Sequence, residues 1–420
     1  MNRRLHDDAL EISRRWMGEL DIAELIANRL DSAESLQSVD VIAIGKAARE
    51  MAGGARRVLA DRVRRELVVI GTDEAREPLD ELGPEVVVGD HPVPGPGSLA
   101  AGARLLDFLE RPTDASETLF LISGGASSLC VAPAPPLTLE DLAELWDAAL
   151  AAGIDITGLN RLRASTSLIA GGAVLGHVHT PRSRALVMVD NVISGAPWVA
   201  SALTYDFRPT HEELEEMIAS IGIAGSALAT RIAQAFNARS ELMGRLKSRD
   251  HRNEVLAEPG LVLERAIAEA TLRGYRVVSL GSHFHGDVED AVHGFGEVLR
   301  GEAAGPTCVL GVGEVTVKVG RGGIGGRCQE FAWRMAGELA TLGRSAVFVA
   351  RSSDGRDFVS GVAGAWVDES SRSRAELLGL DWESIASRHD TFSGLKSMGQ
   401  LLEGWHTGWN LCDLYVAVLE

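Results

Sequence analysis

A recurring unit limits the fold of this chain more than any other feature: a short apolar run that breaks at a glycine turn and continues as a helix. Residues 41–44 (VIAI) run into Gly45 and Lys46, then into a helical stretch that reaches residue 60. Residues 117–122 (ETLFLI) run into Ser123, Gly124 and Gly125 in the same way. Residues 64–71, 84–94 and 184–194 supply further short apolar strands, with helical periodicity over residues 99–110 and 160–172 between them. Strands alternating with helices at this spacing favour βαβ units and a parallel sheet. A second set of strands and helices begins near Thr307 and includes the strand-rich stretch 344–368. The expected class is therefore α/β: two Rossmann-like, three-layer domains with mainly parallel sheets and an interdomain cleft. The first domain is expected over residues 1–240, a connecting segment over 241–305, and the second domain over 306–420.

At 420 residues the chain is long enough for two such cores. Its formal net charge of -18 argues against electrostatic binding of nucleic acid. No apolar run approaches the roughly 18 residues of a membrane span. The charged, amphipathic start of the chain reads as a helix packed on a domain, without an apolar leader. Cys130, Cys308, Cys328 and Cys412 form no CxxC pair, so buried, reduced thiols in a cytoplasmic protein are expected. Cys328 stands apart: at a helix start beside Arg327 its pKa would be lowered.

In a parallel sheet, function collects in loops at the carboxyl ends of strands. Residues 309–330 (VLGVGEVTVKVGRGGIGGRCQE) read as strand, glycine-packed loop and helix, with Glu314, Thr316 and Lys318 on one strand face. Gly320, Gly322, Gly323 and Gly325 would let backbone N–H groups approach an anion at the helix start, where Arg327 adds a forked cation. Gly320, Gly322 and Gly325 also satisfy GxGxxG, but no acidic residue ends the next strand about 20 residues on, as a dinucleotide fold requires. Lys46 opens a helix, an unfavourable place for a cation unless an anion binds there. Ser123–Ser128 (SGGASS) suits a phosphate or a sugar-like hydroxyl, or serves as an ordinary turn. Asp354 and Asp357 in SSDGRD either hold Mg²⁺ or build an Asx turn. His91 lies in the proline-set stretch GDHPVP.

Taken in order, these loops resemble the glycerate 2-kinase family of the tartrate-degradation and serine-cycle type, whose C-terminal domain is called MOFRL. The resemblance rests on IGKAAREMA at 44–52, GDHPVPGPGS at 89–98, LISGGASSL at 121–129, LNRLRASTSLIAGG at 159–172, VGEVTVKVGRGGIGGRCQEFA at 312–332, SDGRDFVSGVAGAWVD at 353–368 and GWHTGWNLCDL at 404–414. It covers nearly the whole chain. It implies an ATP-dependent kinase that phosphorylates a hydroxyl of D-glycerate or a related small hydroxylated metabolite, with Mg²⁺. The implied catalytic residues are Lys46 and Arg327. Nucleotide or phosphate contacts fall on Ser123, Gly124, Gly125, Ser127, Ser128, Gly322, Gly323 and Gly325. Substrate contacts fall on His91, Asn160, Arg163 and Glu314, and metal ligands on Asp190, Asp354 and Asp357. The expected partners are a small-molecule substrate and a second copy in a homodimer, with no nucleic acid and no membrane.

The chain departs from the family pattern at several positions. Ala164 and Ala170 replace lysines, Asn191 replaces an acid, and Trp405 and Trp409 replace small residues. The lost charges favour a poor D-glycerate kinase with a larger or less anionic acceptor, the tryptophans reshaping the pocket. They also leave open a homologue that binds a nucleotide or metabolite without turnover. An oxidoreductase using the GxGxxG segment is a third reading.

Overall fold

The computed structural model describes residues 2–31, 37–76, 85–245, 250–318 and 322–420. Gly320, one of the expected motif glycines, lies outside them. The chain forms two compact units, one of residues 22–189 and 194–256, the other of residues 1–21, 190–193 and 257–420. The expected connecting segment at 241–305 is thus divided between the two units at residues 256 and 257, and the chain's first helix belongs with the C-terminal half.

The first unit is built on strands β1 (Val39–Ile44), β2 (Val63–Ile70), β3 (Val86–Val88), β4 (Glu117–Ile122), β5 (Arg182–Met188) and β6 (Asp250–Ala257), in the spatial order β3-β2-β1-β4-β5-β6. From β3 to β5 every pairing is parallel. β1 and β4 are buried along their whole length, which is why both read as near-continuous apolar runs. The one acid of β1, Asp40, is matched by Arg65, whose Nε lies 3.1 Å from it. The strand order reverses between β1 and β4, so the loops after these two strands open on the topological switch point of the sheet. A second core of helices buries Leu145, Trp146, Leu162, Leu214 and Phe236. Its helices Leu139–Ala151 and His211–Ser220 start at Thr138 and Thr210, each in a reciprocal capping box with the acid three residues on.

The second unit contains β7 (Arg276–Ser279), β8 (Phe284–Asp287), β9 (Thr307–Thr316), β10 (Ala346–Ser352), β11 (Val362–Asp368), β12 (Leu401–Glu403) and β13 (Asp413–Leu419). Its sheet runs β12-β11-β10-β13-β9-β7, with β8 beside β9. Here the expectation of a mainly parallel sheet fails. Only β7 and β8 run parallel to β9; β9–β13, β13–β10, β10–β11 and β11–β12 are antiparallel. The reason lies in connection length: residues 353–361 are too few for the crossover of a dozen or more residues that a parallel pair needs, so β10 and β11 form a hairpin. One face of this sheet carries an aromatic core in which Phe331 packs edge-on against Phe348 and Tyr415, with centroids 5.0 and 4.9 Å apart. The other face is covered by the helix Arg3–Glu19, which buries Leu5, Ile12 and Trp16. Asp8 of that helix accepts hydrogen bonds from Arg273 Nη1 (2.6 Å) and Tyr275 OH (2.7 Å), and Trp16 packs against Trp409. No helix among the described residues is long and apolar enough to cross a membrane.

Candidate active site

In the first unit, the loops after β1 and β4 are fastened to each other before any ligand is considered. Lys46 N donates to Gly124 O at 2.9 Å, and Ala47 N donates to Ser123 Oγ at 3.0 Å. A side chain at Gly45, which sits at φ +127°, would place its Cβ 2.3 Å from Ser123 Oγ, so the close approach requires glycine. Ser123 and Gly124 clamp the two loops as acceptors, through Ser123 Oγ and Gly124 O, which leaves the Ser123 hydroxyl proton and the Gly124 N–H outside these contacts. What the clamp presents is Lys46. Its ammonium has no hydrogen-bond or ion-pair partner among the described residues, and its stem runs past Gly125, where an added Cβ would lie 3.3 Å from both Lys46 Cγ and His91 Cδ2. His91, on the loop after β3, thus borders the same spot. Burial, with the Lys46 charge adding to it, pushes the His91 pKa down, so the ring is neutral at physiological pH. An uncommitted cation at a switch point is a ready partner for a phosphate or carboxylate.

Beside this spot, Ser201 Oγ donates to Ser127 Oγ and lies 3.0 Å from Asn160 Oδ1, tying together the loop after β4, the helix Ile156–Ser165 and the 3₁₀ turn Ala196–Ser201. Ser201 was not singled out in the sequence, since its hydrogen-bond partners lie 74 and 41 residues away. Arg163 lies over the Trp146 ring, 4.9 Å from its centroid, and burial lowers its pKa. Its guanidinium has no carboxylate partner among the described residues. With Ser127, Thr166, Ser167, Ala170 and Ser201 it lines a cavity of about 30 Å³, the room of a single water. Ala164 is fully buried, and the buried Arg239 fills the adjacent space. Arg239 donates to Gly171 O at 2.9 Å and Phe207 O at 2.8 Å, so a cation does stand by Ala164 and Ala170, but it is spent on backbone carbonyls.

In the second unit, Arg327 opens the helix Arg327–Thr341 and is held by two acids. Its Nε and Nη2 fork onto Asp413 at 2.5 and 3.0 Å, and Nη1 meets Glu314 in a short contact. Three of the five guanidinium N–H groups are used, leaving two for a ligand. Burial alone would lower the Arg327 pKa; the Asp413 carboxylate outweighs it and raises the value well above the ordinary range. Asp413 is fully buried at the start of β13. It went unrecognised because its partner lies 86 residues away in sequence.

Several expectations are corrected here. The positive end of this helix holds an internal anion: the Asp357 carboxylate accepts from Cys328 N (3.1 Å), Gln329 N (2.8 Å) and Gln329 Nε2 (3.0 Å). Gly323, Gly325 and Gly326 are glycines because the loop packs directly against residues 388–391 and Asp357; an added Cβ at Gly323 would lie 1.9 Å from Arg388 O. These three glycines serve packing at the helix start, whereas Gly322, at φ +110°, faces open space. Asp357 is a helix cap, both oxygens committed, and not a metal ligand. Burial and then Asp413 push its pKa up to about 6. Asp354 makes the Asx turn, accepting from Ser352 Oγ (3.0 Å) and Arg356 N (2.8 Å) through one oxygen. Asp190 presents its carbonyl to Cys412 Sγ at 3.4 Å, and among the described residues no three His, Cys, Asp or Glu side chains converge as a metal site. Cys328 is the reverse of activated: complete burial, then Asp413, raise its pKa well above the thiol range. Trp409 is a core residue packed against Trp16.

Residues 8–237 match the family model described as a domain of unknown function, DUF4147, and residues 307–413 match the MOFRL family. The chain belongs to the DUF4147 family and carries a MOFRL domain behind it. It is similar to D-glycerate 2-kinase of Thermotoga maritima, 26% identical over 397 residues that make up 92% of this chain and 91% of that one. A protein of Agrobacterium vitis named putative hydroxypyruvate reductase is 28% identical over 338 residues, 78% of this chain and 86% of that one. The crystal structure of glycerate kinase from Thermotoga maritima superposes with a TM-score of 0.88 at 25% identity, covering 100% of both chains.

Proposed function

We propose that the chain is a kinase that moves the terminal phosphoryl group of ATP onto a hydroxyl of D-glycerate or a related small hydroxylated metabolite, in the cytoplasm. The observation that carries this reading is Lys46: an ammonium with no partner among the described residues, held at the switch point of a parallel sheet by the Ser123 clamp, in a chain alike from end to end to a D-glycerate 2-kinase. Phosphoryl transfer needs little covalent chemistry from the protein, so catalysis is positioning plus neutralisation of charge on the moving group. Lys46 supplies a free cation for this, and Arg327 supplies two free N–H donors on a side chain immobilised by Asp413. Asn160, Ser201 and the Arg163 guanidinium offer hydroxyl- and carboxylate-binding groups to an acceptor.

Mg²⁺ would neutralise the phosphates and orient them. Such an ion takes most of its ligands from phosphate and water, so one protein carboxylate suffices. Asp354 fits that part, since its second oxygen has no partner among the described residues. The reductase reading suggested by one relative's name finds little support. A dinucleotide pyrophosphate needs the helix start after β9, and there Asp357 already holds the amides. Nor is binding without turnover favoured, since Lys46 and Arg327 are both present. The test is coupled ADP release from Mg-ATP with D-glycerate, set against a panel of larger hydroxy acids and polyols. No acceptor-dependent ADP release from any of them would sink the proposal.

A further inference from the structure

A second arginine in the chain is buried without a carboxylate, well outside the residues assigned to phosphoryl transfer. Arg351 lies on β10 and is 4% exposed. Alternation along β10 turns Ala350 and Phe348 toward the aromatic core and Arg351 to the opposite face, under the Arg3–Glu19 helix. There its Nε reaches Ser13 Oγ at 3.3 Å, while Nη1 is buried with no partner. Arg14, one helix residue further on and paired with Glu11, adds a second positive charge nearby; burial and then Arg14 push the Arg351 pKa down to about 10. A buried cation with no counter-ion among the described residues is costly to a fold. Arg351 borders a cavity of about 430 Å³, within the range of small-molecule sites. Its other walls include His6, Trp366, Leu402 and Trp405, and His6 packs edge-on against Trp366 at 4.4 Å. Trp405 is 48% exposed and Glu403 stands at the rim, with no ion pair to either arginine.

We propose that this cavity binds a small carboxylate with an apolar, ring-sized body, its carboxylate on Arg351 and its body between Trp366 and Trp405. A carboxylate seated there brings the charge partner that the guanidinium lacks, and the indoles supply a flat apolar surface. The site is independent of the kinase reading, since none of its residues takes part in that chemistry.

The experiment uses the full chain and reads tryptophan fluorescence and thermal shift with three probes: phenylacetate, its neutral amide phenylacetamide, and inorganic phosphate. Phenylacetate is expected to bind saturably and the amide about ten- to a hundredfold more weakly, the weight of one charge-assisted contact. Arg351→Met should reduce phenylacetate affinity by a similar factor without lowering the melting temperature, because it removes an unpaired buried charge. If that variant fails to fold, Trp405→Ala, an exposed position, replaces it and should weaken phenylacetate binding. Equal binding of acid and amide, tightest binding of free phosphate, undiminished binding in the variants, or no saturable signal up to millimolar phenylacetate would each overturn the assignment.

Discussion

Replacing Arg327 by alanine tests the ion cluster of the second unit as well as the chemistry, and the two must be separated. Asp413 is fully buried and takes two hydrogen bonds from Arg327. Removing the guanidinium leaves that carboxylate buried without its partner, and breaking a buried pair from one side costs about 3–5 kcal/mol. For a unit of this size each kcal/mol shifts the melting temperature by roughly 2–4 °C, so a drop on the order of 6–20 °C is expected. Trp16, Trp333, Trp366, Trp382, Trp405 and Trp409 all lie in this unit, so intrinsic fluorescence during urea unfolding reports mainly on it. The double variant Arg327→Met with Asp413→Leu removes both charges and should recover most of the lost stability while remaining inactive, because Glu314 is half-exposed and can turn to water. Arg327→Ala within about 0.5 kcal/mol of wild type would refute the buried-pair argument. A double variant as unstable as the single one would assign the loss to the packing of the arginine stem instead.

Lys46→Ala should lower kcat by about a hundredfold or more with an unchanged melting temperature, since its ammonium supports no contact within the fold; a rate near wild type on the best acceptor would remove it from catalysis. Glu66, 4% exposed and 3.2 Å from Arg56 Nε, has its pKa raised from 4.5 to about 7, chiefly by burial and against the pull of Arg56. The folded state then holds the proton that the unfolded chain releases, so this contribution is complete below pH 4.5 and is lost as pH rises through 7, a change of about 3 kcal/mol. Melting curves from pH 4.5 to 7.5 should show Glu66→Gln flattening that decline; identical slopes in both proteins would contradict it. Gly394→Ala would set a methyl 2.5 Å from Trp333, whose ring is stacked at 3.8 Å on Trp382, and should destabilise by about 1–3 kcal/mol in urea unfolding despite the better helix propensity of alanine.

The first unit was legible in sequence because its central strands are buried on both faces. Such strands must be apolar along their length, and the turns that follow need glycine wherever two loops touch, as at Gly45 against Ser123. Strand direction in the second unit was not legible. Period-two alternation looks the same in parallel and antiparallel strands, and only the short stretch between β10 and β11 and the late insertion of β13 between β10 and β9 decide it. The acids were misread for a related reason. Asp357 occurs in a run that suits a metal loop, yet its donors are Cys328 and Gln329, 29 and 28 residues away. The glycine-rich segment before Arg327 looked like a phosphate cradle because it has the same local chemistry as one: small residues, then exposed helix amides. A sequence cannot show that the chain itself supplies the anion.

Lys46 and Arg327 differ in how the fold compensates their charge. The Lys46 ammonium has no hydrogen-bond or ion-pair partner among the described residues, so its charge is uncompensated. Arg327 stands among two carboxylates, Glu314 and Asp413, and the three together carry one net negative charge. A group so surrounded is a poor attractor of anions and a precise positioner: its fork is fixed by Asp413, and its two remaining N–H groups point where the packing sends them. Lys46 is thus built to attract an anion, and Arg327 to hold its free N–H groups in a fixed direction. This division explains why the arginine, unlike the lysine, is built into the stability of its unit.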